Sequence, residues 1–396
     1  MAKYDVCIIG GCGHVGLPLA ILLADAGKKV AIYDLHKESV DTVLQGKMPF
    51  KEDGAPEALK KVIGKNLFVF SEKSVISDSR YIVVVIGTPA DRHLNPEFTK
   101  FKYLFEDIIQ FIHDDQHIIL RSTVFPGTTD KIQRYLRSLG KATKISFCPE
   151  RVMQGRAMEE IRTLPQIIGA YDEASFKDAE ALFSLLTQDL VSLSPLEAEI
   201  AKLYTNIWRY VQFATANNFY QIATEHDIDF YKVYNAITHN YPRASDFARA
   251  GFAAGPCLFK DTAHMVAYTG NSFFLGNAAI LANEGLPNFI VKRLHFKYSL
   301  ADKTVGILGM SFKADIDDKR ESLAFKLKKM LEMEAKKVLC SDPYIKQEGF
   351  VTESELARDS DIIILGAPHK KYKGLKIAPE KILVDVWNFF GRGGLF

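Results

Sequence analysis

The chain has 396 residues, 47% hydrophobic and 25% charged, a globular balance long enough for about two or three domains. Its formal net charge of +2 supplies no field for gripping nucleic acid or a membrane surface, so neither is an expected partner. Five cysteines, at 7, 12, 148, 257 and 340, are odd in number, scattered and without C-x-x-C spacing, which argues against a disulfide framework and a zinc site and for a reducing compartment. The apolar stretch from Cys7 to Ala24 carries four glycines, His14 and Pro18, which suit a strand, turn and helix better than a membrane span. With no signal peptide or transmembrane helix read, the cytoplasm is the expected location.

In chain order, the run Tyr4 to Ile9 reads as a strand and breaks into G-C-G-H-V-G before a helical pattern. Gly11, Gly13 and Gly16, with His14 and Val15 between them, fit the glycine turn that brings backbone close to a pyrophosphate. A second strand, Lys29 to Tyr33, ends in Asp34, about 20 residues on. An acid there binds a ribose 2'-hydroxyl and repels a 2'-phosphate, so NAD is expected over NADP; the alternative is a glycine turn with no dinucleotide. Strand-like runs at Leu67 to Phe70, Tyr81 to Ile86 and His117 to Leu120 continue a parallel sheet. Two of them end in polar turns, I-G-T-P with Thr88 and Pro89, and S-T-V-F-P-G-T-T with Ser122 and Thr123. Either is a plain connector or, at the carboxyl ends of strands, a border of the cofactor site. A strand near Lys144 to Phe147 then leads into C-P-E-R, where Glu150 is a candidate base.

Ser194-Pro195-Leu196-Glu197 is a capping box with proline at the first helical position. It opens a pattern with apolar residues at 196, 200, 203, 207, 211 and 214 that continues to about Glu225. A helix of ~30 residues spans ~45 Å, long enough to bridge domains or form a dimer axis. Lys202 and Asn206 share one of its faces, either as a solvated stripe or as two donors to an oxyanion. Downstream, G-F-A-A-G-P-C-L-F-K-D sets Cys257 in a glycine-bracketed turn with Lys260 and Asp261 behind it. That is the equipment of a covalent nucleophile, or else an ordinary buried thiol. The last third repeats the α/β pattern without the glycine fingerprint: strands at Lys303 to Leu308, Lys337 to Ser341, Asp361 to Leu365 and Ile382 to Val386, and a helix at Glu321 to Glu334. Its loop Met310 to Ser322 carries Lys313 and Arg320, either an anion grip or a charged surface loop.

Taken in order, G-x-G-x-x-G-L-P, S-T-V-x-P-G-T, P-E-R, K-x-x-x-N, G-x-x-x-G-x-C-L-x-K-D, F-K and D-x-R-E-S resemble the UDP-glucose/GDP-mannose dehydrogenase family along the whole chain. The resemblance implies an α/β fold of two Rossmann-like doubly wound domains joined by a central helical dimerisation domain. The boundaries expected are 1–193 for NAD, 194–298 for the helices and the cysteine loop, and 299–396 for the nucleotide sugar. It implies oxidation of a sugar C6 alcohol to a carboxylate, consuming two NAD and one water, in the manner of enzymes that make UDP-glucuronate for polysaccharide biosynthesis. Cys257 would form a thiohemiacetal and then a thioester. Lys202 and Asn206 would stabilise the oxyanion, Asp261 and Thr123 would manage an active-site water, and Glu150 would serve thioester hydrolysis. Thr88, Pro89, Ser122, Lys260 and Arg320 join the glycine turn and Asp34 as cofactor contacts. Arg151, Phe252, Gly255, Phe312 and Lys313 join the catalytic set around the substrate, with Arg243 reaching the neighbouring site of a homodimer.

Some residues depart from the family pattern. The turn reads A-G-P-C where G-G-S-C is frequent, Phe259 replaces a proline, Trp387 stands where many UDP-glucose enzymes carry an arginine, and Ser39 replaces an arginine past the ribose-binding acid, with Lys37 as a substitute. Lys260 beside Asp261 favours UDP-glucose as substrate. UDP-N-acetylhexosamines and GDP-mannose are the alternatives within the same chemistry, and a non-catalytic nucleotide-sugar-binding protein is the alternative outside it.

Overall fold

The computed structural model describes residues 2–88, 98–394 and 396. Contacts divide the chain into two units, Met1–Thr205 and Asn206–Phe396.

The first unit is built on eight strands: β1 (Tyr4–Ile9), β2 (Val30–Tyr33), β3 (Leu67–Phe70), β4 (Ser79–Val84), β5 (His117–Leu120), β6 (Lys144–Phe147), β7 (Gln166–Gly169) and β8 (Leu190–Leu193). Their spatial order is β3-β2-β1-β4-β5-β6-β7-β8, parallel except between β6 and β7. The first six follow the doubly wound dinucleotide-binding order, with the switch point between β1 and β4. Strands of this kind are covered on both faces, and β1, β2 and β5 accordingly have no exposed residue and are apolar at every position but Asp5 and His117. β7 and β8 lie outside the sequence expectation. The burial pattern of β8 leaves Val191 and Ser192 exposed, as suits its place at the sheet edge.

The helix Pro195–Glu225 begins where the capping box places it. Ser194 N–H donates to Glu197 Oε2 at 2.8 Å, and Glu197 N–H donates back to Ser194 Oγ at 3.4 Å. Leu203, Ile207, Tyr210 and Ala214 are buried along one face and Tyr220 on its flank, while Tyr204, Trp208, Phe219 and Ile222 stand exposed.

The second unit carries a parallel four-stranded sheet of β9 (Thr304–Leu308), β10 (Lys337–Ser341), β11 (Ile362–Leu365) and β12 (Ile382–Val384), in the order β10-β9-β11-β12. Its core joins Val305, Ile307, Ile362 and Ile364 to Leu286, Ile290 and Leu294 of the helix Phe274–Lys297 and to Leu323, Leu327 and Leu331 of the helix Leu323–Glu334. A smaller cluster of Tyr210, Ala214, Ala253, Leu258 and Ala279 underlies the cysteine turn, and Phe259 packs against it. The bulk of Phe259 is therefore accommodated by packing.

Candidate active site

In the first unit, β1 feeds the glycine turn and the helix Gly16–Asp25. A Cβ on Gly11 would lie 2.9 Å from the Ile32 side chain, and one on Gly16 would lie 2.6 Å from Gly11 Cα. Those two glycines let strand, turn and helix close on each other. A Cβ on Gly13 would meet nothing nearer than Gly10 O at 3.7 Å, so this side of the turn is open to a phosphate at the helix N-terminus. Asp34 ends β2 with its carboxylate aimed at the turn: Oδ2 accepts from Cys12 N–H and Oδ1 from His36 N–H, both at 2.9 Å. Closed glycines, an open Gly13 and an adjacent acid fit NAD. His36 caps the next helix by accepting from Ser39 N–H, so Ser39 is used in the cap. His14 packs against Phe50, ring centres 3.9 Å apart and planes tilted by 40°, and bonds Gln154 at 3.1 Å.

The turns after β4 and β5 are stitched together. Ser122 Oγ donates to Ile86 O at 2.7 Å, and Thr88 Oγ1 donates to Thr123 O at 2.6 Å. Pro89 lies outside the described residues. Glu150, buried after β6, has both oxygens engaged: Oε2 by the Arg121 guanidinium at 2.5 Å, Oε1 by the N–H groups of Arg151 and Val152 at 2.6 and 2.7 Å. The Arg151 guanidinium turns to Pro165 O. Arg121 also reaches Cys148 O and Gln166 Oε1. The sequence reading missed it as a partner of Glu150, although an arginine directly after the strand H-I-I-L was a signal. Glu199 was missed as well. It sits one turn before Lys202 and accepts from Gly127 N–H, Thr129 N–H and Thr129 Oγ1, fixing the end of the S-T-V-F-P-G-T-T turn.

In the second unit, Cys257 is the N-cap of the helix Leu258–Tyr268 and the exposed member of the five free cysteines. The helix N-terminus behind it favours a thiolate. Asp261, one turn on and fully buried, pairs with Lys260 Nζ at 2.9 Å and accepts from Asn206 Nδ2 at 2.5 Å. Lys202 and Asn206 are both buried, so they are no solvated stripe. His264, on the same helix, is pushed down to about 4 by burial and then by Lys260, which keeps its ring neutral.

Two aromatic rings cover the glycines of the turn. A Cβ on Gly255 would lie 2.5 Å from the Phe312 ring, and one on Gly251 would lie 2.3 Å from the Trp387 ring. The unfamiliar tryptophan thus roofs the cysteine turn. Phe252 is buried in the core. Arg320 forks onto Asp318, with bonds of 2.6 to 3.0 Å, and Cys257 contributes to the field at its guanidinium. Lys313 O accepts from Ser311 Oγ, and exposed Arg243 donates from Nε to Tyr241 OH at 2.8 Å.

No helix among the described residues is long and apolar enough to cross a membrane. Models of the UDP-glucose/GDP-mannose dehydrogenase family match over residues 4–187 (NAD binding domain), 196–283 (central domain) and 306–392 (UDP binding domain). A UDP-N-acetyl-D-mannosamine dehydrogenase of Methanococcus aeolicus is 28% identical over 97% of this chain and 91% of its own. The structure of the UDP-D-ManNAc dehydrogenase of Pyrococcus horikoshii is similar with a TM-score of 0.87 at 25% identity, covering 94% of this chain and 91% of that one. A UDP-glucose dehydrogenase structure from Pyrobaculum islandicum shares the fold, with a TM-score of 0.88 at 22% identity over 96% of this chain and 93% of that one. With its glycine turn, its acid-ended second strand and its three matched domains, the chain belongs to the UDP-glucose/GDP-mannose dehydrogenase family of NAD-dependent nucleotide-sugar dehydrogenases.

Proposed function

We propose that the chain oxidises the C6 hydroxyl of a UDP-linked hexose to the carboxylate with Cys257 as covalent nucleophile. The observation that carries this reading is an exposed thiol at a helix N-terminus with the buried Asp261–Asn206 pair one turn behind it, held by the half-buried Lys260. Bound NAD supplies the hydride acceptor for each of the two oxidations. Between them, the Cys257 thiolate adds to the C6 aldehyde and the carbonyl π pair moves onto oxygen, where Lys202 and Asn206 stabilise it. After the second oxidation the C6–S bond is a thioester. Water adds, that bond breaks, and the electron pair returns to Cys257 as thiolate. Asp261 holds the proton traffic of the active-site water together with Thr123. Three donors fill three of the roughly four acceptor positions of the Glu150 carboxylate, leaving one on Oε2 to orient the hydrolytic water.

The leading substrate is a UDP-N-acetylhexosamine, on the strength of relatives named UDP-N-acetyl-D-mannosamine dehydrogenase. UDP-glucose is the second reading, favoured by Lys260 beside Asp261. NADH production with a panel of UDP- and GDP-sugars decides between them: the donor with the highest kcat/KM names the substrate, and silence with every donor, from protein that binds NAD, replaces the enzyme by a binding protein. The family matches support three functional domains at 1–193, 194–298 and 299–396. The exposed Tyr204, Trp208, Phe219 and Ile222 stripe supports a homodimer in which Arg243 completes the neighbouring site. Sedimentation showing an active monomer would remove that element.

A further inference from the structure

We propose that Asn217 is a positioning residue for the cysteine turn, an inference that rests on Cys257 being the nucleophile. Asn206 and Asn217 lie eleven residues apart on the helix Pro195–Glu225. At 3.6 residues per turn, that spacing returns to within about 20° of the same face, about 16 Å along the axis. Asn206 holds Asp261 at the far end of the turn. Asn217 holds the near end, because its Oδ1 accepts from Gly251 N–H at 2.8 Å. Cys257 lies between these two fixed points.

The second anchor is itself fixed. Asn217 Nδ2 donates to Asn283 Oδ1 at 2.9 Å, and Asn283 Nδ2 donates to Tyr210 O at 3.0 Å. Both asparagines are fully buried. Gly251 N–H only donates and the Tyr210 carbonyl only accepts, so the two ends of the chain determine both amide orientations. An apolar pair would fill the same space at a lower desolvation cost but would leave Gly251 N–H without an acceptor. The Trp387 ring lies against Gly251, 2.3 Å from where a Cβ would stand, so this residue is packed as well as hydrogen-bonded.

The experiment compares Asn217→Ala, Asn217→Asp and Asn283→Ala, reading kcat, melting temperature and the rate at which iodoacetamide alkylates Cys257, followed by mass spectrometry. Asn217→Ala is expected to lose ~10- to 100-fold in kcat, as a displaced catalytic group does, and to alkylate Cys257 severalfold more slowly. Asn283→Ala, with a comparable loss of melting temperature, keeps kcat within about threefold because Gly251 retains its acceptor. In Asn217→Asp the buried carboxyl takes a proton, so C=O accepts and O–H donates in the pattern of the amide; kcat then recovers at pH 6 and falls as pH rises. Equal kcat losses in Asn217→Ala and Asn283→Ala, or an unchanged alkylation rate in Asn217→Ala, would overturn the assignment. If Asn217→Ala does not fold, a folded Asn217→Asp without recovery at pH 6 does the same. Altered alkylation with unaltered kcat would instead count against Cys257 as nucleophile.

Discussion

Replacing Gly255 by alanine tests how tightly the cysteine turn is held. Its φ of +104° is one that residues with a side chain rarely adopt. Forcing alanine there costs about 1–2 kcal/mol. The new Cβ would stand 2.5 Å from the Phe312 ring, whereas carbon atoms pack at ~3.5–4.0 Å, so ring or turn must retreat by about 1 Å. Overpacking of that kind adds about 1–3 kcal/mol, for a total of about 2–5 kcal/mol. For a unit of this size each kcal/mol lowers the melting temperature by about 2–4 °C, which gives a drop of about 4–20 °C. The same displacement, two residues before the thiol, is expected to lower kcat/KM for the sugar about 100-fold. Adding Phe312→Ala removes the clash but not the backbone strain, so the double variant should regain about 1–3 kcal/mol of stability. A Gly255→Ala protein that melts with the parent and keeps its turnover would refute the reasoning.

The other expectations concern the first unit. Asp178 accepts from His117, Arg80 and Tyr81, and the His117 bond most of all holds its carboxyl well below the usual carboxylate range. Because the folded value is depressed, this stabilisation is present above about pH 4 and is lost as pH falls through the folded value. Asp178→Asn should lose about 1.5–3 kcal/mol at pH 7 and show a flatter acid limb in melting temperature against pH; an acid limb like the parent's would place the proton linkage elsewhere. Asp34→Asn keeps an acceptor for Cys12 N–H but loses the charge. Its NAD-over-NADP preference should fall about 10- to 100-fold, and an unchanged ratio of kcat/KM values would mean that Asp34 only braces the turn. Arg121→Met leaves Glu150 without its cation. It should slow turnover after the first NADH, visible as a burst, while loss of NAD binding alone would point to a structural role.

The first unit was legible because its signals are local: glycine spacing, an acid at a strand end and mostly apolar strands share one stretch of chain. The capping box of Ser194 and Glu197 likewise fixed the start of the long helix to the residue. β7 and β8 escaped because Q-I-I-G offers only two apolar residues and L-V-S-L, interrupted by Ser192 and half exposed, shows neither a buried run nor a clean alternation to separate it from connecting loop. Lys202, Asn206, Cys257 and Asp261 were marked from residue type and from the family pattern. The burial of Lys202, Asn206 and Asp261, and the bond from Asn206 to Asp261 across 55 residues of sequence, are long-range facts that no local pattern encodes. Arg121, Glu199 and Asn217 were hidden for the same reason, since each acts on a backbone or carboxylate distant in sequence. Trp387 looked like the loss of a cation, and the packing instead makes it the roof of Gly251.

The most direct measurement is the number of NADH molecules formed per molecule of limiting UDP-sugar, in the parent and in Cys257→Ser. The account expects two in the parent with its true donor, and no uronic acid at an appreciable rate in Cys257→Ser. Two NADH per sugar at the parent rate from Cys257→Ser would contradict the thiol's role outright.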